Sequence, residues 1–172
     1  PGVGLLEATN LSVGRGTDSP FEVLGAPWID GRRLARELND YRLAGVSFVP
    51  IEFVPEANKY AGETCRGVNI HLVDRNALDP VRMGVAVACA LRKLFPSHWD
   101  TASLDRLLVN RQVCEAIVAG DSPDEILRSY EAESAGFAAS RRQAFRYERP
   151  RDERREKKET KRQAPRKAAL AE

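Results

Sequence analysis

The stretch LLEATNLSVGRGTD, residues 5–18, gathers the most chemistry in the chain. It holds the Glu7 carboxylate, the Asn10 amide, the hydroxyls of Thr9, Ser12 and Thr17, and the Arg15 guanidinium between Gly14 and Gly16. A phosphate cradle of the Walker type needs GxxxxGK[ST], so that backbone amides wrap the phosphate and a lysine reaches its far oxygens. Here the glycines flank an arginine and no lysine follows. GVGLLE, at the start, opens like a dinucleotide fingerprint but lacks the third glycine and the preceding strand. A hydrolase triad fares no better, because the two histidines, His71 and His98, have no serine on a strand-to-helix elbow to serve. The three cysteines, Cys65, Cys89 and Cys114, form no CxxC pair and are odd in number, which argues against a disulfide framework and against a zinc site. Cys89 and Cys114 fall in helical apolar patterns and read as small buried hydrophobes. No metal and no cofactor is expected.

Two readings of the loop stay open on its residues alone. In one, Asn10, Ser12 and Thr17 close Asx and hydroxyl turns, the glycines supply positive φ, and Glu7 pairs with Arg15. In the other the same groups bind a ligand. The charged pair is the feature that turn chemistry explains least, since charges removed from water need partners.

The elements that must hold this loop read as mixed α and β. GVSFVPIEFVP, residues 45–55, alternates with Val49, Ile51 and Phe53 on one side, and Pro50 inside the run marks an edge strand or bulge. GVNIHLVD, residues 67–74, is a cleaner strand: Val68, Ile70 and Leu72 face one way, Asn69, His71 and Val73 the other. The connection EANKYAGETCR is too long for a tight turn. Asp79 caps and Pro80 opens the helix PVRMGVAVACALRKLF, which Pro96 stops. Asn110 caps RQVCEAIVAG, ended by Gly120. Ser122, Pro123 and Glu125 form a capping box for a helix whose inner face carries Ile126, Tyr130, Ser134 and Phe137, expected to lie against the sheet. A short helix, DGRRLARELN, turns Leu34 and Leu38 inward. The expectation is an α+β domain with a small mixed sheet and several helices. Residues 1–24 read as an irregular polar segment, 25–147 as the α+β domain and 148–172 as a charged, disordered tail.

The charge is uneven. Of the net +2, residues 148–172 supply ten Lys/Arg against six Asp/Glu, so the preceding residues are slightly acidic. The tail has no aromatic residue and one large aliphatic, too little apolar surface to offset the entropy of ordering. Polycations bind nucleic acid by releasing counterions, but here acids are interleaved and no aromatic is present to stack on bases, so no nucleic-acid partner is expected. No apolar run reaches the ~20 residues of a membrane helix, so no membrane partner is expected.

PGVGLLEATNLSVGRGTDSPFEVLGAPWIDG resembles the middle of the NamZ-type exo-β-N-acetylmuramidases, formerly a domain-of-unknown-function family. The family pattern is Glu-(Gly/Ala)-Thr-Asn-x-Ser-x-Gly-Arg-Gly-Thr, then Pro-Phe-Glu and Gly-Ala-Pro-Trp. FVPIEFVPEANKYAGETCRGVNIHLVDR, DPVRMGVAVACALRKLFP and FAASRRQAFRY match further, so the resemblance runs to about Tyr147. It implies the carboxy-terminal part of a two-domain peptidoglycan hydrolase that releases N-acetylmuramic acid from non-reducing ends during cell-wall turnover. The Rossmann-like amino-terminal domain, with the family's Glu-His-Gly motif and catalytic glutamate, is absent here, so the fragment is expected to be inactive alone. A secreted or periplasmic location is implied by the family only.

With the acid elsewhere, Glu7 is expected in a supporting catalytic role, since glycoside cleavage uses two carboxyl groups. Arg15 is expected to read the lactyl carboxylate of muramic acid, because guanidinium matches carboxylate with two parallel hydrogen bonds. Asn10, Ser12, Gly16 and Thr17 would orient the sugar or hold Arg15. Lys59 and Tyr60 line the cleft or are a solvated lysine and a packed tyrosine. His71 is a cleft residue or a structural one. Trp28 reads as a core plug rather than a sugar platform. The competing class is a non-catalytic glycan-binding or scaffolding domain.

Overall fold

A computed structural model describes residues 2–144. The chain divides into two compact units, 1–132 and 133–172. The charged tail expected over 148–172 lies outside the described residues.

In the first unit a three-stranded sheet has the order β1-β3-β2, with β1 at Val23–Ala26, β2 at Val46–Phe53 and β3 at Cys65–Leu72. The α+β class stands with one refinement: the sheet expected to be mixed is antiparallel in both pairings. Pro50 lies opposite Val68 on the edge strand β2, where its missing N–H leaves no partner wanting. The core side of β2 is set by Phe48, while Val49 is half exposed. Helix α1 (Gly31–Asp40) explains the choice. Its Asn39 amide donates to the Phe48 carbonyl at 2.8 Å and its amide oxygen accepts the Phe48 N–H at 3.0 Å. This two-bond clamp fixes Phe48 inward beside the fully buried Leu34 and Leu38, each contributing about 2 kcal/mol by burial.

Helix α2 (Pro80–Leu94) is the central core element. Asp79 caps it by accepting from the Val81 and Arg82 amides at 2.9 and 3.1 Å, as its sequence implies. Residues Met83 to Leu91 are buried without a break, and a 3-10 helix, Gly2–Leu6, packs against them. That approach depends on Gly84: a Cβ there would stand 2.5 Å from the Gly2 carbonyl oxygen. The amino-terminal segment is thus seated in the same core as the elements that follow it.

Three further helices complete the described chain: α3 (Asp105–Leu108), α4 (Arg111–Ala119) and α5 (Pro123–Ser140). Asn110 accepts from the Val113 amide at 3.1 Å, and Gly120 closes α4 at φ 94°. At α5 the capping box forms in both directions: Ser122 donates its amide to Glu125 at 3.0 Å, and the Glu125 amide reaches the Ser122 hydroxyl at 3.4 Å. The Ser122 hydroxyl, donating to the Glu125 carboxylate at 2.6 Å, and the Ser122 amide together hold that carboxyl below its ordinary range. Ile126 and Tyr130 join the core of the first unit, but the helix packed on the sheet is α1 rather than the expected α5, and Ser134 is exposed. Phe137, placed on the same face by periodicity, is exposed and falls in the second unit.

Within the described part of the second unit, α5 ends in a 3-10 helix, Arg141–Ala144. The Ser140 hydroxyl donates back to the Phe137 carbonyl at 3.0 Å.

Candidate functional site

The polar segment is attached to the sheet by main-chain bonds. Ser12 donates to the Gly25 carbonyl at 2.9 Å and accepts the Gly25 N–H at 3.0 Å, adding one antiparallel rung outside β1. Leu11 and Val13, on either side, are buried, so the rung is anchored by apolar contact as well. From this rung the chain turns through Gly14 and Gly16 and projects Arg15 outward.

Gly16 is required by both dihedral and space. Its φ is 82°, and a Cβ would lie 2.4 Å from the Ala57 carbonyl oxygen. Its own carbonyl accepts the Glu56 N–H at 2.7 Å, which binds the polar loop to the β2–β3 connection, residues 54–64. Thr17 closes the turn, donating its hydroxyl to the Gly14 carbonyl at 2.7 Å and accepting the Ser19 amide at 3.2 Å. The Ser12 hydroxyl accepts the Gly14 amide at 3.4 Å. These bonds stay within the loop.

Asn10 reaches elsewhere. Its amide donates to the His98 carbonyl at 2.8 Å and its oxygen accepts the Asp100 N–H at 2.9 Å. Both ends of the side chain are therefore engaged with the segment after α2. Next to it, buried Thr9 accepts from the Trp99 indole at 3.2 Å.

Glu7 and Arg15 meet. The Arg15 Nε donates to Glu7 Oε1, and the guanidinium carbon stands 4.9 Å from the centre of the Phe21 ring. The ion pair weighed as the structural reading is present, yet it does not use up the arginine. Among the described residues nothing bonds to its two terminal nitrogens, and the side chain is 47% exposed. A guanidinium held at Nε and stacked on an aromatic ring retains one edge with two parallel donors, the geometry that a carboxylate matches.

Lys59 and Tyr60 come to the same loop from the β2–β3 connection. The Lys59 ammonium donates to the main-chain carbonyls of Glu7 and Leu11, the latter at 3.4 Å. The Tyr60 hydroxyl donates to the Asn10 carbonyl at 2.7 Å and accepts the Trp28 indole N–H at 3.2 Å. Lys59 is neither a solvated lysine nor free to reach outward with all three donors. Burial pushes its pKa below the ordinary lysine value, and the neighbouring Glu7 charge opposes that shift.

Trp28 stacks on His98 at 6.2 Å between ring centres and meets the Phe95 ring edge-on at 5.7 Å. Occupied on these sides and bonded at its nitrogen, it packs as a plug. His71 lies opposite Ser47 on the side of β3 away from Val68 and Ile70, where the strand pattern placed it. Its side chain is exposed and makes no hydrogen bond or ion pair among the described residues, so the structure does not bring it into the Glu7–Arg15 network. Phe21 and His98 were not singled out by residue chemistry. Phe21 carried a signal in the Pro-Phe-Glu match, and His98 carried none, because its bond to Asn10 uses a main-chain carbonyl.

Among the described residues no group of three or more His, Cys, Asp or Glu is placed to hold a metal ion. No described helix is long and apolar enough to cross a membrane.

The rung on β1 carries a loop that presents one ion-paired arginine from an α+β domain, and sequence comparison gives the class of that domain. The chain belongs to the family described as exo-beta-N-acetylmuramidase NamZ, C-terminal, which matches residues 1–147. It is 36% identical over 150 residues to the peptidoglycan beta-N-acetylmuramidase NamZ of Bacillus subtilis (strain 168), across 86% of this chain and 36% of that protein. Two solved DUF1343 family proteins from Bacteroides fragilis NCTC 9343 share the fold, with TM-scores of 0.63 and 0.62 at 24% and 20% identity. Each match covers 86% of this chain, and 41% and 39% of the solved chains. The chain thus spans little more than a third of the length of the curated relative, and what it matches is the family's carboxy-terminal region.

Proposed function

We propose that this chain supplies the carboxylate-reading wall of a glycan cleft in an exo-acting N-acetylmuramidase of peptidoglycan turnover. The observation that carries the proposal is the state of Arg15: fixed at Nε by Glu7, backed by Phe21, and open along its outer edge. N-acetylmuramic acid differs from N-acetylglucosamine by a lactyl ether that ends in a carboxylate. The open edge of Arg15 donates two parallel hydrogen bonds to that carboxylate, which sets the choice of sugar. Glu7 orients the arginine and supports the reaction from this wall, while the general acid comes from the rest of the protein, where the family places its Glu-His-Gly motif. Thr17, Ser12 and Gly16 act through the loop by holding its turn, and Asn10 by tying it to residues 98–100.

The B. subtilis relative is named as acting on peptidoglycan, and the match to it supports the same substrate class here. The reading is tested by incubating the full-length protein that carries this chain with glycans bearing N-acetylmuramic acid at the non-reducing end. Release of free N-acetylmuramic acid is expected. Binding of the glycan without release would instead mark a non-catalytic domain.

A further inference from the structure

The β2–β3 connection, residues 54–64, has an unusual backbone. Asn58 and Tyr60 both adopt positive φ, 71° and 60°, on either side of Lys59. Asparagine tolerates that region, but tyrosine adopts it rarely and at a cost, so the surrounding contacts must over-determine it. What holds it is visible. Lys59 and Tyr60 together donate to three carbonyls of one short stretch, those of Glu7, Asn10 and Leu11, from about fifty residues away in sequence. The Lys59 amide is fixed in turn by the Asn58 side chain at 2.8 Å, and the Tyr60 hydroxyl by the Trp28 indole at 3.2 Å.

The electrostatic arrangement is equally specific. Glu7 lies between two cations, with Arg15 on its carboxylate and Lys59 on its main-chain oxygen. An ammonium spent on peptide carbonyls forgoes much of its hydration, and it orders a long side chain to do so. A solvated loop has no need of such a bond. A loop that must hold one carboxylate and one guanidinium at fixed positions does.

We infer that Lys59 and Tyr60 form a strap that positions the Glu7–Arg15 pair, and that Lys59 thereby governs how well Arg15 recognises a carboxylate without touching it. The inference rests on the proposed reading of Arg15 for its consequence on sugar choice, but not for the strap itself. Both are positioning residues: each acts through the main chain of residues 7–11.

The test uses the full-length protein that carries this chain, as wild type and as Lys59→Met, Lys59→Arg and Tyr60→Phe. Two readouts are needed. Hydrogen exchange over residues 7–17 reports the strap directly, with residues 31–40 of α1 as an internal reference. Exchange in 7–17 should quicken at least tenfold in Lys59→Met, less in Tyr60→Phe, and return toward wild type in Lys59→Arg, with α1 unchanged. Steady-state kinetics on paired aryl glycosides of N-acetylmuramic acid and N-acetylglucosamine report the consequence. In Lys59→Met the KM for the muramoyl substrate should rise fivefold or more, with a smaller change in kcat, and the KM for the glucosaminide should move less than twofold. Unchanged exchange in 7–17 overturns the strap. Faster exchange with equal KM increases for both sugars overturns its role in positioning Arg15. A wild-type enzyme that does not distinguish the two sugars at all defeats the substrate reading, while the exchange result still decides the strap.

Discussion

Lys59 donates its ammonium protons to the main-chain carbonyl of Glu7, the residue whose carboxylate holds Arg15. One residue thus joins two loops and two cations. Glu7 sits at the end of the 3-10 helix seated on α2, Arg15 follows the rung on β1, and Lys59 comes from the connection between β2 and β3. The site is accordingly a product of the whole sheet-and-helix framework rather than of residues 5–18 alone. It also explains why turn chemistry and site chemistry coexist in one segment. The hydroxyls shape the loop, and the charged pair is what the loop presents.

The contact between the two loops makes Gly16 the least replaceable position in the segment. Alanine there would need φ near 82° and would bring its Cβ against the Ala57 carbonyl. Gly16→Ala should cost about 1–3 kcal/mol of stability. Denaturant unfolding would show it as a lower midpoint at unchanged slope. A midpoint equal to that of wild type would mean that the two loops are not in contact.

The cysteines should be inert. All three are buried, and burial pushes the Cys65 thiol up to about 11, the Cys89 thiol up to about 12 and the Cys114 thiol above its ordinary value. The thiolate is the reactive form, so alkylation by iodoacetamide at pH 8 should be slow in the folded protein and complete after denaturation. Fast labelling of any one of them in the native state would contradict its placement.

Acid should weaken the start of α5 through Glu125. Its pKa is lowered by the hydrogen bonds to Ser122, so the folded state favours the ionised carboxylate. The contribution is complete above the unfolded value near 4.5 and is lost as pH falls through the lowered folded value. Glu125→Gln, which does not titrate, should therefore close part of its stability gap to wild type as pH is lowered from 5 to 3. A gap that stays constant over that range would contradict the capping role.

Much of the framework was legible because local signals and tertiary demands agree. Asp79, Asn110 and the Ser122–Glu125 box each mark a helix start that the structure retains. Pro50 marked an edge strand, and β2 is one. Strand β1 was not legible, because its four residues are all buried and so show no alternation. Helix α3 is only four residues long, too short for a period to emerge. The side of β2 that faces the core was ambiguous for a related reason. Apolar residues occupy both sides, and the choice of Phe48 is made by Asn39 of α1, a contact that no strand pattern contains.

The site was legible in composition and not in connectivity. Glu7 and Arg15 stood out as charges in a turn-rich segment, and their pairing over eight residues was foreseeable. That Lys59 and Tyr60 would spend their donors on that segment's carbonyls could not be read from spacing, since carbonyls are anonymous in a sequence. Asn10 shows the same limit: its two partners are main-chain groups of His98 and Asp100.

The central claim is that the outer edge of Arg15 reads a carboxylate. Its most direct test is the ratio of kcat/KM for N-acetylmuramoyl and N-acetylglucosaminyl aryl glycosides, measured in the full-length protein with Arg15 and with Arg15→Lys. Lysine keeps the charge but loses the paired donors, and the forfeited interaction is worth about 1.5–3 kcal/mol. The ratio should therefore fall by roughly tenfold or more, through loss on the muramoyl substrate alone. Equal losses on both substrates, leaving the ratio unchanged, would show that Arg15 does not recognise the lactyl group.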